Sequence, residues 1–377
     1  MKEIAFYKPS VGNIEREHIN DVLKLEGRSK IKELEERVQE FLGCKYIIST
    51  TSWSGAMHLS MFALDLKRGD KIVCSVNSFP TVAEVVRHFD AEPIFCDIDR
   101  DDFNIDPKAL DEVLTKNKHK KLKAVIVSHV GGQPADLDAI YDIAKKHKVR
   151  VVEDASNAFG ATYKGKLIGQ TGSDITTFGF SPQMMRAIGN AGIIATNNTE
   201  LAERAELIRN HGIKANEWDR EGNIGYIYDV VDVGLKYDAS ELDAAYAIAQ
   251  FEKNAKNIER RRAIAKIYNE ELANVPHVKT PIEVRDHNYD LYIIKVDKNR
   301  DDFARELREK GVFTSLHYVP MHLLSYYKQK YSLRVNDFPN ALMNYSQILS
   351  LPIYPSMSDE DAYYVCQKVA ETAEHRV

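Results

Sequence analysis

The sequence predicts an α/β protein in two parts: a large domain with a mainly parallel sheet between helices, then a smaller α+β domain at the C-terminal end. Three observations carry this. Between Lys121 and Ser156 an apolar run AVIVSHV, a turn GGQPAD, an amphipathic LDAIYDIAKKHK and a second apolar run VRVVEDAS follow one another. That is the order of a βαβ unit, and the unbroken apolar runs suit strands covered on both faces. The same alternation precedes it, with helical SGAMHLSMFALDL leading to KIVCSV and TVAEVVRHF leading to PIFCDID. From about Tyr237 to Ala273 the pattern turns into one long helix rich in Ala, Glu, Lys and Arg.

Each remaining element follows from local signals. TTFGFS and GIIATNN read as two short strands flanking an irregular stretch from Pro182 to Gly189, which suits a ligand site. After the long connecting helix come strand-like YDLYIIKV, helix-like DDFARELREKG and a final helix beyond Ser358. The division expected is 1–250 for the large domain and 251–377 for the small one. At 377 residues and 44% hydrophobic, the chain is long enough for two such cores.

Charge and cysteine usage narrow the function classes. A net charge of -5 and a pI near 6.2 leave no electrostatic footprint for nucleic acid. The basic run Lys116 to Lys123 is short and reads as a solvated loop. Cys44, Cys74, Cys96 and Cys366 lack CxxC spacing, so buried free thiols are expected rather than a metal site or disulfides. No stretch approaches a membrane span, and the start MKEIAFYKPSVG lacks a basic region followed by an apolar run. A cytoplasmic protein without membrane contact is expected.

In open α/β sheets the ligand sits beyond the carboxyl ends of the strands, where VRVV runs into Glu153 and Asp154. One of these acids faces a pocket, or the pair caps the next segment; position alone leaves both open.

Longer stretches carry a resemblance. VVEDASNAFGATYKGKLIGQTGSDITTFGF, SHVGGQPADLDAI, NSFPTVAEVVRHFDAEPIFCDID, LHYVPMHLLSYY and FPNALMNYSQILSLPIYPSMSDED together resemble the DegT-like family of nucleotide-sugar aminotransferases nearly end to end. These are pyridoxal-phosphate (PLP) enzymes of fold type I. The resemblance implies that Asp154 pairs with the pyridinium nitrogen and keeps the ring an electron sink. It puts Phe79 on the ring face, followed by Pro80 where another residue is usual, and Asn157 where the family has glutamine. It places Ser54 and Gly55 at the phosphate and Ser181 in the lysine loop. His317, Tyr318 and His322 match positions near the nucleotide sugar, and His129 one near the cofactor face. For these histidines an acid–base role and a locally hydrogen-bonded structural role stand side by side. Tyr326 and Tyr327 read as small-domain packing.

Several positions depart from the family. Its Schiff-base lysine lies in F-S-F-H-x-x-K, which here reads Phe178-Gly179-Phe180-Ser181-Pro182-Gln183-Met184. A thioether neither bonds covalently to the cofactor nor carries a proton. Trp53-Ser54 stands for Gly-Thr or Cys-Thr, Gly179 for a serine, and Lys236 for an asparagine supplied by a partner subunit. Lys236 is expected to hold an anion rather than to replace the lost amine.

The expectation is a divergent homologue that binds or modifies a nucleotide-linked keto or amino sugar, with ordinary transamination lost and His129 or His317 left for catalysis. PLP or its amine form (PMP) would be held non-covalently, or not at all. A homodimer is expected from the two-subunit site. The alternatives are a normal aminotransferase whose lysine was exchanged for Met184, and a silent heterodimer partner of an active paralogue.

Overall fold

A computed structural model describes residues 2–24, 27–180, 189–215 and 228–374. Its centre is a seven-stranded sheet: β1 (Tyr46–Thr50), β2 (Lys71–Ser75), β3 (Glu92–Cys96), β4 (Leu122–Ser128), β5 (Arg150–Asp154), then, beyond a short hairpin of β6 (Thr162–Tyr163) and β7 (Lys166–Leu167), β8 (Ile175–Gly179) and β9 (Gly192–Thr196). The strand order is β1-β9-β8-β5-β4-β2-β3. The pairs among β8, β5, β4, β2 and β3 are parallel, while β9 runs antiparallel to both its neighbours.

The apolar runs are continuous because helices cover both faces. Along β4, Ala124 and Ile126 enter one core while Val125 and Val127 enter another. All four cysteines are free and buried. Among the described residues no helix is long and apolar enough to cross a membrane.

The long helix spans Glu241–Glu271, capped by Ser240, whose hydroxyl accepts from the Asp243 amide. Its first third, with Ala244, Ala247 and Ile248, packs in a large-domain core. Its last third, with Ile264, Ala265 and Tyr268, packs on the antiparallel sheet of Val278–Lys279, Tyr292–Val296 and Ile348–Leu351. The division at 250/251 therefore falls inside this helix. Ile4 also packs in the smaller core, bridging Val312. Tyr327 departs from the expected small-domain packing: it sits in the large-sheet core, edge-on to Phe95.

Candidate functional site

The parallel strands β2, β4, β5 and β8 all end at one edge of the sheet, so their last residues and the loops after them meet there. Asp154 closes β5 and lies in register with Ser128, which closes β4. Ser128 Oγ donates to Asp154 Oδ2 at 2.8 Å and the Ser156 amide donates to Oδ1 at 3.1 Å. It caps the following turn and lies at the carboxyl edge of the sheet. At 6% exposure, burial pushes its carboxyl above the usual range, against those hydrogen bonds and His129. Its described partners are a hydroxyl and an amide rather than a cation.

Strand alternation turns Glu153 the other way. Its carboxylate takes hydrogen bonds from the Tyr141 hydroxyl and from Thr171 Oγ1, and lies 3.1 Å from His129 Nε2. His129 Nδ1 accepts the Ala135 amide at 3.1 Å, so Nε2 carries the ring proton and donates it to Glu153. Both nitrogens of this buried ring are engaged within the protein.

Tyr318 lies within reach of the Asp154 charge and carries Asn77 and Phe79 against it. The Tyr318 amide donates to Asn77 Oδ1 at 3.3 Å, and its ring stands edge-on to Phe79 at 6.2 Å. Burial, then the charges of Asp154 and Asp290, push the Tyr318 hydroxyl up. Phe79 is 51% exposed, a large ring left open beside Tyr318.

A second set of groups lies where the helix Trp53–Ala63 begins. Ser52 caps it by accepting the Gly55 amide at 3.0 Å. The exposed Ser54 places its hydroxyl 3.3 Å from Thr81 Oγ1, at the start of the helix Thr81–Arg87. Trp53 lies against Gly179 at the end of β8, and its indole nitrogen is buried without an acceptor among the described residues.

The other expected residues sit further out. Asn157 turns its amide to Asp290, at 2.8 Å, and lines a cavity of about 130 Å³ between the sheet edge and the helix Glu241–Glu271. His317 is buried against Phe6, with Nδ1 2.8 Å from Ser350 Oγ, and burial pulls its pKa down to about 4. His322 Nε2 meets the Val335 carbonyl at 3.1 Å and its ring lies on Phe338, away from the others. Lys236 is exposed and ion-paired with Asp238 at 2.7 Å. Its neighbour Tyr237 accepts the Thr51 amide, just ahead of the Trp53 helix. Ser181 and Met184 lie outside the described residues.

Sequence reasoning missed Ser128, Asn77 and Thr81. A signal for Ser128 exists: it ends one apolar run as Asp154 ends the next, and neighbouring parallel strands bring such ends together.

Residues 13–370 match the profile of the DegT/DnrJ/EryC1/StrS aminotransferase family. An uncharacterized protein of Methanocaldococcus jannaschii is 35% identical over 374 residues, 96% of this chain and 96% of that one. The spore coat polysaccharide biosynthesis protein SpsC of Bacillus subtilis is 32% identical over 380 residues, 98% of this chain and 96% of the relative. A candidate sugar aminotransferase of Streptococcus pneumoniae, solved in its PMP form, shares the fold with a TM-score of 0.90 at 22% identity, over 98% of this chain and 99% of the other.

Proposed function

The chain belongs to the DegT/DnrJ/EryC1/StrS aminotransferase family, and from that premise we propose that it binds a nucleotide-linked sugar beside a non-covalently held PLP or PMP, without lysine-dependent amino transfer. One observation carries the proposal. Asp154 is buried at the carboxyl edge of the sheet and held by Ser128, which supports reading it as the partner of a ring nitrogen, with Met184 read as standing at the family's lysine position.

The family is PLP-dependent, and the residues here fit such a ring. A buried carboxylate with no cation among its described partners suits a protonated pyridine nitrogen, which would supply the missing charge. Phe79 offers an open face for stacking. The hydroxyls of Ser54 and Thr81, at the starts of two helices, suit a phosphate. When bound, the cofactor supplies an electron sink. Asp154 would hold the proton on the ring nitrogen, and Ser128 would fix the carboxylate in place. Met184 has no nitrogen to move a proton, so any proton transfer falls to another group.

A homodimer belongs to the same proposal. Tyr228, Val230, Val231 and Val233 are 60%, 56%, 50% and 81% exposed, an apolar run that suits a covered face.

The test is to titrate PLP and PMP into the purified protein while recording the visible spectrum, then to add borohydride and measure the protein mass. Saturable binding without a mass increase is expected. A PLP adduct fixed to any lysine would overturn the proposal.

A further inference from the structure

Along the small-domain strand Tyr292–Val296, Tyr292, Ile294 and Val296 enter the smaller core, so Ile293 and Lys295 face the other way. Lys279 stands directly opposite Lys295 in the antiparallel ladder, and opposite residues share a face. Two lysines thus stand side by side on one face of the sheet, an arrangement that repels. The same face meets the loop after β3, whose Phe103 packs in one core with Ile293. Between loop and sheet lies a cavity of about 430 Å³, and Lys279, Lys295 and Arg100 all line it.

The carboxylates of this cavity do not cancel its positive charge. Asp101 comes no closer to Lys295 than 3.7 Å and is itself exposed, so water screens it. Asp297 faces His277 at 3.0 Å. Arg100 and Lys279 make no ion pair among the described residues, and Arg100 turns instead to the Met343 sulfur, which carries no charge. Lys295 is half-buried, donates to the Arg100 carbonyl and lies over the Phe103 ring at 5.2 Å. Burial lowers its pKa; Asp101 opposes that, while Arg100 and Lys279 add to it. In a chain of net charge -5, such a local excess of cations runs against the background.

We infer that this cavity binds a small organic phosphate, its head taken by Lys279, Lys295 and Arg100 and its apolar body lying on Phe103, Pro281, Ile282 and Ile293. A phosphate monoester carries roughly two negative charges at neutral pH, enough to offset a lysine pair. A single carboxylate would leave one of the two uncompensated. Ammonium groups act as point charges and suit a phosphate without demanding a planar partner. The volume suits a ligand of small-metabolite size. None of the lining residues belongs to the cavity beside Asn157 or to the set of Asp154, Ser128, Phe79, Ser54 and Thr81. The site therefore goes beyond the proposed function and holds whether or not PLP or PMP binds.

The experiment is calorimetric titration of the full-length protein, in phosphate-free buffer and without cofactor, using phenyl phosphate, inorganic phosphate and benzyl alcohol as probes. Saturable heat from phenyl phosphate is expected, with inorganic phosphate weaker by about threefold or more and nothing from the alcohol. Lys279→Gln and Lys295→Met should each weaken phenyl phosphate by about fivefold or more, while Lys330→Gln, the same charge change elsewhere on the surface, should stay within about twofold. Should Lys295→Met fail to fold, the exposed Lys279→Gln carries the comparison. Because it relieves a like-charge pair, Lys279→Gln should also leave the ligand-free protein with a Tm no lower than the parent's. No saturable heat from phenyl phosphate overturns the inference. So does equal binding of inorganic phosphate or of the alcohol, a fall in Tm for Lys279→Gln, or phosphate binding that the groove variants leave unchanged, as a phosphate held at Ser54 and Thr81 would give.

Discussion

Trp53 and Gly179 touch across the carboxyl edge of the sheet: a Cβ on Gly179 would stand 3.0 Å from Trp53 Cβ. Backbone atoms and first side-chain carbons cannot swing away as the tip of a long side chain can, so any side chain at 53 crowds a side chain at 179. The two positions are therefore coupled in packing.

Gly179→Ser should overpack this contact and cost about 1–3 kcal/mol, read by chemical denaturation. Trp53→Gly, which removes the Cβ as well as the ring, should lower stability by itself through lost burial, yet the serine should then cost much less. A coupling of roughly 1 kcal/mol in the double-mutant cycle is expected. Simple additivity of the two changes would show that the contact is loose.

Asp154→Asn keeps the shape of the proposed ring site and removes its negative charge. The protonated pyridine nitrogen then loses its counter-charge in a buried place, and affinity for PMP should drop by about tenfold or more. Ser128→Ala removes one hydrogen bond to the carboxylate and should cost less. Absorbance titration at fixed pH measures both, and an unchanged Asp154→Asn affinity would place the ring elsewhere.

How far this was legible in the sequence depends on the range of the contact. LKAVIVS reads as a doubly covered strand because its apolar residues meet two cores in alternation, and that shows in the residues themselves. The bridge between Ile4 and Val312 joins chain ends with nothing local to announce it. In the site, Asp154 was visible as a strand end, whereas Thr81 meets Ser54 only through the packing of two helices. His129 and His317 are indistinguishable from catalytic histidines until their partners are known.

Buried imidazole makes stability depend on acid. His317 sits at about 4 in the folded chain against 6.5 unfolded, so the unfolded chain takes up the proton first. Its contribution is present above pH 6.5 and lost as pH falls toward 4, by roughly 3 kcal/mol. Asp102, raised to about 6 chiefly by burial and despite Arg285, acts in the opposite sense. Its contribution is present below about pH 4 and lost as pH rises through 6. Denaturation curves at pH 4, 5, 6 and 7 should therefore show His317→Gln gaining relative stability toward pH 4 and Asp102→Asn gaining toward pH 7. Parallel curves for both variants would remove these groups as the source.

His129→Ala separates a structural from a chemical role. The imidazole gives its one ring proton to Glu153, which is fully buried and otherwise held by Tyr141 and Thr171. Taking away that donor, and the acceptor of the Ala135 amide, leaves a buried carboxylate and an N–H short of partners. The expected cost is about 3 kcal/mol, seen as a clear fall in Tm. Affinity for PMP, measured on folded protein well below that Tm, should stay within about twofold, since both ring nitrogens are engaged by Glu153 and the Ala135 amide. A variant that melted like the parent but no longer bound PMP would instead place His129 at the ring, and would mean that the bond to Glu153 serves to orient it.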